Sequence, residues 1–132
     1  MSDIINIIKS LPQLSYVDGA SKSSISNAET QLCLTFSSEY RKYLAEFGSI
    51  AAKGIELTGL INADYCNVVF ITKQEWELNN NIPHTMYVVE NTCVDGIIVW
   101  QDSKGYIYKS APNSTPKKIA KSLSDYILKR IK

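Results

Sequence analysis

The sequence predicts a mixed α+β fold, with helices towards both ends and antiparallel strands between them. Three observations point there. Apolar residues recur at three- and four-residue intervals from Tyr40 to Phe47, and again from Ile119 to Ile127, as they do on one face of a helix. Between residues 86 and 110, short runs rich in β-branched and aromatic residues alternate with Gly-bearing turns, as in a meander. The chain has 132 residues, 45% of them hydrophobic and 20% charged, which suits a single domain over 1–132 that buries a core without metal or disulfide.

The first segment, Asp3 to Leu11, sets Ile4, Ile5, Ile7, Ile8 and Leu11 on a broad helical stripe. Ser2 is the expected N-cap and Pro12 the stop. Residues 13–23 are polar and contain Asp18-Gly19, so they read as a loop with a brief strand at Leu14 to Val17. Residues 26–48 read as a short helix, a sharp link and a longer helix. Ser26 and Glu29 have the spacing of a capping box. Leu32, Cys33, Leu34 and Phe36 carry the apolar face through the link, and Tyr40, Tyr43, Leu44 and Phe47 continue it. Gly48 stands where a left-handed cap ends a helix without a Cβ clash.

Ile25, Ala28, Glu29, Leu32, Phe36, Tyr40, Leu44 and Gly48 resemble the signature of the SUKH superfamily: a helix with an I-x-x-x-E-x-x-L pattern, then a P-x-x-Y-x-x-x-L helix ending in Gly. Ser37 stands at the usual Pro position, a mild change, since Ser is also accepted at a helix start. A second stretch, Val88-Val-Glu-Asn-Thr-Cys-Val-Asp-Gly-Ile-Ile-Val-Trp-Gln-Asp102, resembles the family's strand, acidic turn and strand. The resemblance covers roughly residues 24–128. It implies N-terminal helices and a C-terminal helix packed on a mostly antiparallel, twisted sheet. Its bacterial members are mostly immunity proteins, and a fungal member is a cell-wall assembly regulator.

After a link at 49–53, Gly54 to Leu60 alternates and reads as a strand. Val68 to Ile71 is ambiguous: its β-branched content favours strand, whereas Asn67 as a cap and the spacing of Val68, Val69, Thr72 and Trp76 favour helix. The resemblance implies a helix here, ending near Leu78. Met86 to Glu90, Ile97 to Gln101 and Tyr106 to Ser110 are three strands, joined by turns at Asp95-Gly96 and Asp102 to Gly105. Thr115-Pro116 is the expected start of a last helix, with Ile119, Leu123, Tyr126 and Ile127 on its apolar face and two lysines opposing the macrodipole in its first turn.

Catalytic motifs are absent: the sequence has no nucleophile elbow, phosphate-binding loop or dinucleotide fingerprint. His84 is the only histidine, and next to Pro83 it reads as a surface residue. Cys33, Cys66 and Cys93 are odd in number and widely spaced, which argues against a disulfide framework or a zinc site and for thiols in a reducing cytoplasm. No cofactor is expected. The N-terminus lacks a basic, apolar leader, and no run reaches membrane-spanning length.

The net charge of +1 hides an uneven distribution. Residues 54–103 carry seven acids and one base, Lys73, whereas residues 104–132 carry eight bases and one acid, Asp125. Such fields steer association with oppositely charged partners, unless the two segments pack together and cancel. Lys109, Lys117, Lys118, Lys121, Lys129, Arg130 and Lys132 spread around the expected helix as well as along it, so direct nucleic-acid binding is not expected.

The resemblance and the acidic middle segment together imply a non-enzymatic immunity protein that binds a cognate, basic toxin domain, such as a nuclease, and occludes it. The expected partner-binding residues are Glu56, Asp64, Tyr65, Glu75, Trp76, Glu77, Asp95 and Asp102, with Tyr65 and a partly exposed Trp76 as anchors. Two other readings stand beside it: a regulatory or scaffold protein-binding module, and a small enzyme.

Overall fold

The computed structural model describes residues 3–131. In chain order it holds α1 (Ile4–Lys9), β1 (Ser15–Asp18), α2 (Lys22–Leu32), α3 (Ser38–Glu46), β2 (Phe47–Ala52), β3 (Ile55–Leu57) and a 3-10 turn at Asp64–Cys66. Then come α4 (Val68–Leu78), β4 (Met86–Asn91), β5 (Ile98–Asp102), β6 (Ile107–Ser110), β7 (Lys117–Ala120) and α5 (Leu123–Arg130). The strands form two antiparallel sheets, ordered β1-β2-β3 and β4-β5-β6-β7. This is the α+β arrangement that the sequence predicts.

The two sheets meet at β3 and β4. The Thr58 amide donates to the Val89 carbonyl at 2.9 Å, and its hydroxyl donates to the Val88 carbonyl at 2.8 Å. Helix α4 closes the rest of the β4 edge with side chains. The Trp76 indole donates to the Met86 carbonyl at 3.1 Å, and the Thr72 hydroxyl accepts from the Val88 amide at 3.0 Å. A buried strand edge needs such partners, because an unpaired backbone group away from water is costly.

The core is aromatic at its centre. Leu32, Phe36, Tyr40, Leu44 and Phe47 are all buried, as their spacing predicts. Phe36, Tyr40 and Tyr87 form a triangle with ring centroids 4.8–5.1 Å apart. Its two phenols and that of neighbouring Tyr43 reach polar groups. Tyr40 bonds the Thr58 hydroxyl and Tyr43 the Thr58 carbonyl, each at 2.7 Å, and Tyr87 donates to Gln101 at 2.8 Å. Burial pushes all three hydroxyls well above the ordinary phenol range, so they stay protonated donors.

Several expectations are corrected by tertiary context. Ser26 and Glu29 do not open a helix; α2 begins earlier, capped by Ser21, whose hydroxyl accepts from the Ser24 amide. Glu29 instead accepts from the Phe36 amide at 2.8 Å and pairs with Arg41 at 2.8 Å, which folds the link back between α2 and α3. The left-handed residue that ends α2 is Cys33, at φ 54°. Gly48 is no cap: it lies within β2, and the span 49–53 expected as a link belongs largely to that strand. Glycine is still required there, because a Cβ would stand 2.7 Å from the Asp18 carbonyl oxygen.

The other large correction is near the C-terminus. Thr115-Pro116 starts no helix. Lys117–Ala120 pairs with β6 as strand β7, and α5 begins at Leu123 with Ser122 as its cap. Lys117 and Lys118 therefore sit on a sheet edge and oppose no macrodipole. Lys129 and Arg130 lie in the last turn of α5, where cations are favoured. Ser2, expected to cap α1, lies outside the described residues, as does Lys132; Asp3 accepts from the Ile5 amide and caps the helix.

Two carboxylates fasten α5. Glu39, in the first turn of α3, accepts from the Leu123 amide at 2.7 Å and the Ser124 amide at 2.9 Å. At the other end, buried Glu90 accepts from the Arg130 guanidinium at 2.9 Å, from the Glu56 amide at 3.1 Å and from the Tyr126 hydroxyl. This is the one ion pair among the described residues that joins the acidic middle to the basic tail.

Candidate partner-binding surface

The segment from Gly59 to Asn67 crosses between β3 and α4 and is pinned at both ends. Its base is fixed by backbone bonds from Gly59 to Cys66, from Val68 to Gly59 and from Leu60 to Gly48, all at 2.8–2.9 Å. A Cβ on Gly59 would stand 1.7 Å from the Gly48 carbonyl oxygen, so only glycine fits. Asn67 holds the other end. Its side-chain amide donates to the Ile61 carbonyl at 2.9 Å, and its side-chain oxygen accepts from the Val69 and Phe70 amides, capping α4.

This pinned segment presents an aromatic and acidic surface. Tyr65, in the 3-10 turn, is 68% exposed, and Phe70, on the outer face of α4, is 44% exposed. Cys66 is buried behind Tyr65, with its thiol pushed up by burial first and by the Glu56 charge as well. The Tyr65 phenol is pushed up by Cys66 first, with Glu56 adding to it. Glu56 and Tyr65 are therefore electrostatic neighbours. Next in the chain to Tyr65, Asp64 lines a groove of about 750 Å³ between α2 and α4, together with Ser24, Asn27, Ile61, Phe70 and Lys73 among others. Glu56 and Asp64 are exposed, and no hydrogen bond or ion pair engages their carboxylates among the described residues.

Of the expected set, the structure sets Asp64 beside Tyr65 with Glu56 near enough to act on the Tyr65 phenol, and it buries or engages several of the rest. Trp76, expected as a partly exposed anchor, is buried at 9% exposure. Its indole N–H closes the β4 edge, and its ring stacks on exposed His84 with centroids 4.2 Å apart. Asp102 is occupied within its own turn, accepting from the amides of Lys104 and Tyr106 and from the Tyr108 hydroxyl at 3.0–3.1 Å. Asp95 lies in the turn at the opposite end of β5, at φ 54°, followed by Gly96 at φ 70°. Glu77 is exposed on α4, whereas Glu75 is half-buried. Phe70 was missed in the sequence, although its spacing from Val68 and Thr72 already places it off the buried stripe.

Burial raises the Glu75 carboxyl above its ordinary value of 4.5. The folded state thus binds its proton more tightly than the unfolded chain does. The resulting penalty is absent below the ordinary value, sets in as the pH rises through the raised one, and is full at neutrality. Glu75→Gln is expected to raise the urea midpoint at pH 7, and the gain is expected to vanish at pH 4. Equal midpoints at pH 7 would show that water reaches this carboxylate freely.

Among the described residues, no three His, Cys, Asp or Glu side chains gather to hold a metal ion, and no helix is long and apolar enough to cross a membrane. Cys33 and Cys93 are exposed thiols and Cys66 a buried one, none bonded to another.

The sequence profile of the family described as SMI1-KNR4 cell-wall (SUKH_5) matches residues 1–132, the whole chain. No curated protein matches it.

Proposed function

Because the chain belongs to the SMI1-KNR4 family of the SUKH superfamily, we propose that it is a non-enzymatic immunity protein that binds and occludes a basic toxin domain, such as a nuclease. Family membership supports a protein-binding role of the immunity or regulatory kind. The observation that favours a basic partner is the surface itself. Among the described residues the carboxylates of Glu56, on β3, and of Asp64 are unpaired, and Asp64 and exposed Tyr65 lie on the segment pinned by Gly59 and Asn67, just ahead of exposed Phe70 on α4. Aromatic side chains on a rigid base give contact area at low entropic cost, and acids around them steer a cationic partner. A domain that holds phosphate in its own site is cationic where an occluding protein must cover it. Of the other acids of the middle segment, Glu90 and Asp102 are engaged within the fold and Asp95 lies in a turn beside β5.

The test pairs this chain with any toxin-like domain found encoded beside it. Co-expression is expected to rescue cells from that domain, and the purified pair to associate with a strong salt dependence. The double reversal Glu56→Lys, Asp64→Lys is expected to slow association at low salt about tenfold or more and to flatten its salt dependence. The melting temperature should hold, because exposed charges contribute little to stability. Death of the co-expressing cells would sink the immunity reading. Rescue with an unchanged association rate in the double variant would move the binding surface elsewhere. Binding without rescue would favour a scaffold or regulatory module.

A further inference from the structure

We infer that β1 is a self-pairing edge, through which two copies of this chain join antiparallel about Val17 into a six-stranded sheet. Four strand edges bound the two sheets, and three of them are closed. The edges of β3 and β4 meet at Thr58, the Glu56 amide of β3 donates to Glu90, and Trp76 and Thr72 of α4 cover the rest of the β4 edge. The β7 edge is defended: Lys117 and Lys118 are exposed on it, and the register with β6 slips between Ile107 and Tyr108, which leaves Ile119 as an extra residue on β7. Lysines and bulges are devices that keep an outer strand from pairing with another chain.

The β1 edge has neither device. All four of its residues, Ser15 to Asp18, are exposed, with Tyr16 at 60% and Val17 at 50%. Its sequence holds no Lys, Arg or Pro. The irregularity between β1 and β2 belongs to the inner strand, where Gly48 and Ser49 stand opposite the single residue Val17. The free edge of β1 therefore runs without a bulge of its own.

Two-fold symmetry selects the second copy as occupant. A two-fold axis through an antiparallel strand pair runs perpendicular to the sheet and keeps each side chain on its own face. Centred on Val17, it sets Val17 against Val17 of the other copy and Tyr16 against Asp18. Apolar β-branched side chains then meet at the axis, and no like charges stand opposite. The same operation on β7 brings the Lys117-Lys118 pairs of two copies together. Of the two outer edges, only β1 complements itself. A strand pair this short buries less than a stable dimer interface of about 1,200 Å², so association is expected to be weak.

Sedimentation velocity of the purified chain, from 10 µM to about 1 mM, tests the inference. The weight-average mass is expected to rise from monomer towards dimer and to stop there. Val17→Lys is expected to hold the protein at monomer mass with unchanged circular dichroism, since the exposed site accepts a lysine stem. Amide exchange in residues 15–18 is expected to slow with concentration in the unsubstituted chain alone. A monomer throughout would leave the edge open or reserved for a different protein, and would overturn the inference. So would a dimer that persists in the lysine variant, or growth past dimer, which signals head-to-tail pairing of β1 with β7.

Discussion

Replacing Phe36 with alanine is expected to cost about 3–5 kcal/mol in chemical denaturation. Phe36 is 1% exposed, and its ring packs edge-to-face on Tyr40 and Tyr87 at 5.1 and 4.8 Å. Truncation removes one side of that triangle and leaves a cavity walled by two rings. Those rings are not free to collapse into it. The Tyr40 hydroxyl is tied to Thr58, and the Tyr87 hydroxyl both donates to Gln101 and accepts from the Ser37 amide at 2.9 Å. A site whose walls are held by hydrogen bonds relaxes poorly, which places the cost towards the upper end for such a change. A loss below about 1 kcal/mol would show that the link between α2 and α3 is not packed as described.

Replacing Arg130 with methionine is expected to cost a similar amount, about 3–5 kcal/mol, by a different route. Glu90 is 3% exposed and accepts from three donors, of which Arg130 is the only cation among the described residues. Burial, and then the charge of Glu90, hold the Tyr126 phenol well above its ordinary range, so it remains a donor. Methionine preserves much of the stem packing but leaves a buried carboxylate without its counter-charge. It also frees the Gly54 carbonyl, which Arg130 reaches at 2.7 Å. The double variant Arg130→Met, Glu90→Gln is expected to lose less than the sum of the two single changes, because the second removes the charge that the first strands. Full additivity in that cycle would show that the pair is not coupled.

Much of this architecture is legible in the residues. Asn67 caps α4, and the period of Val68, Thr72 and Trp76 is that of its buried face. The meander from β4 to β6 follows from alternation and from Asp95-Gly96, both at positive φ as a tight hairpin turn demands. The misses share one cause, which is that a local pattern was outvoted by distant partners. Ser26 and Glu29 have capping spacing, but the carboxylate is taken by Phe36 and Arg41. Thr115-Pro116 has the form of a helix start, yet Lys117–Ala120 completes a sheet that β6 would otherwise leave open. Ser122 with Asp125 three residues on was the better local signal for α5, and the Asp125 amide does bond the Ser122 hydroxyl.

At the candidate surface, the sequence names Glu56, Asp64 and Tyr65 together with Trp76 and Asp102 and does not sort the exposed from the engaged. Composition shows that an acid is present; it does not show which neighbours occupy its oxygens. Asp102 is consumed by its own turn, and Trp76 by a strand edge 10 residues away. Exposure of an aromatic side chain is likewise a property of the packed chain.

The carboxylate of Glu39 has a consequence for how the protein is made. Its targets, the Leu123 and Ser124 amides, lie 84 and 85 residues further along the chain. A ribosome adding about 5–20 residues per second delivers Leu123 roughly 4–17 seconds after Glu39. By the end of that interval α3 and all seven strands have been made, but until α5 emerges Glu39 has no helix to cap and Glu90 has no guanidinium. The nascent chain therefore waits with two anionic sockets and an open aromatic flank until α5 emerges, and docking of that helix is the event that closes folding. A pause or truncation ahead of residue 123 would hold the chain in this sticky, chaperone-visible form.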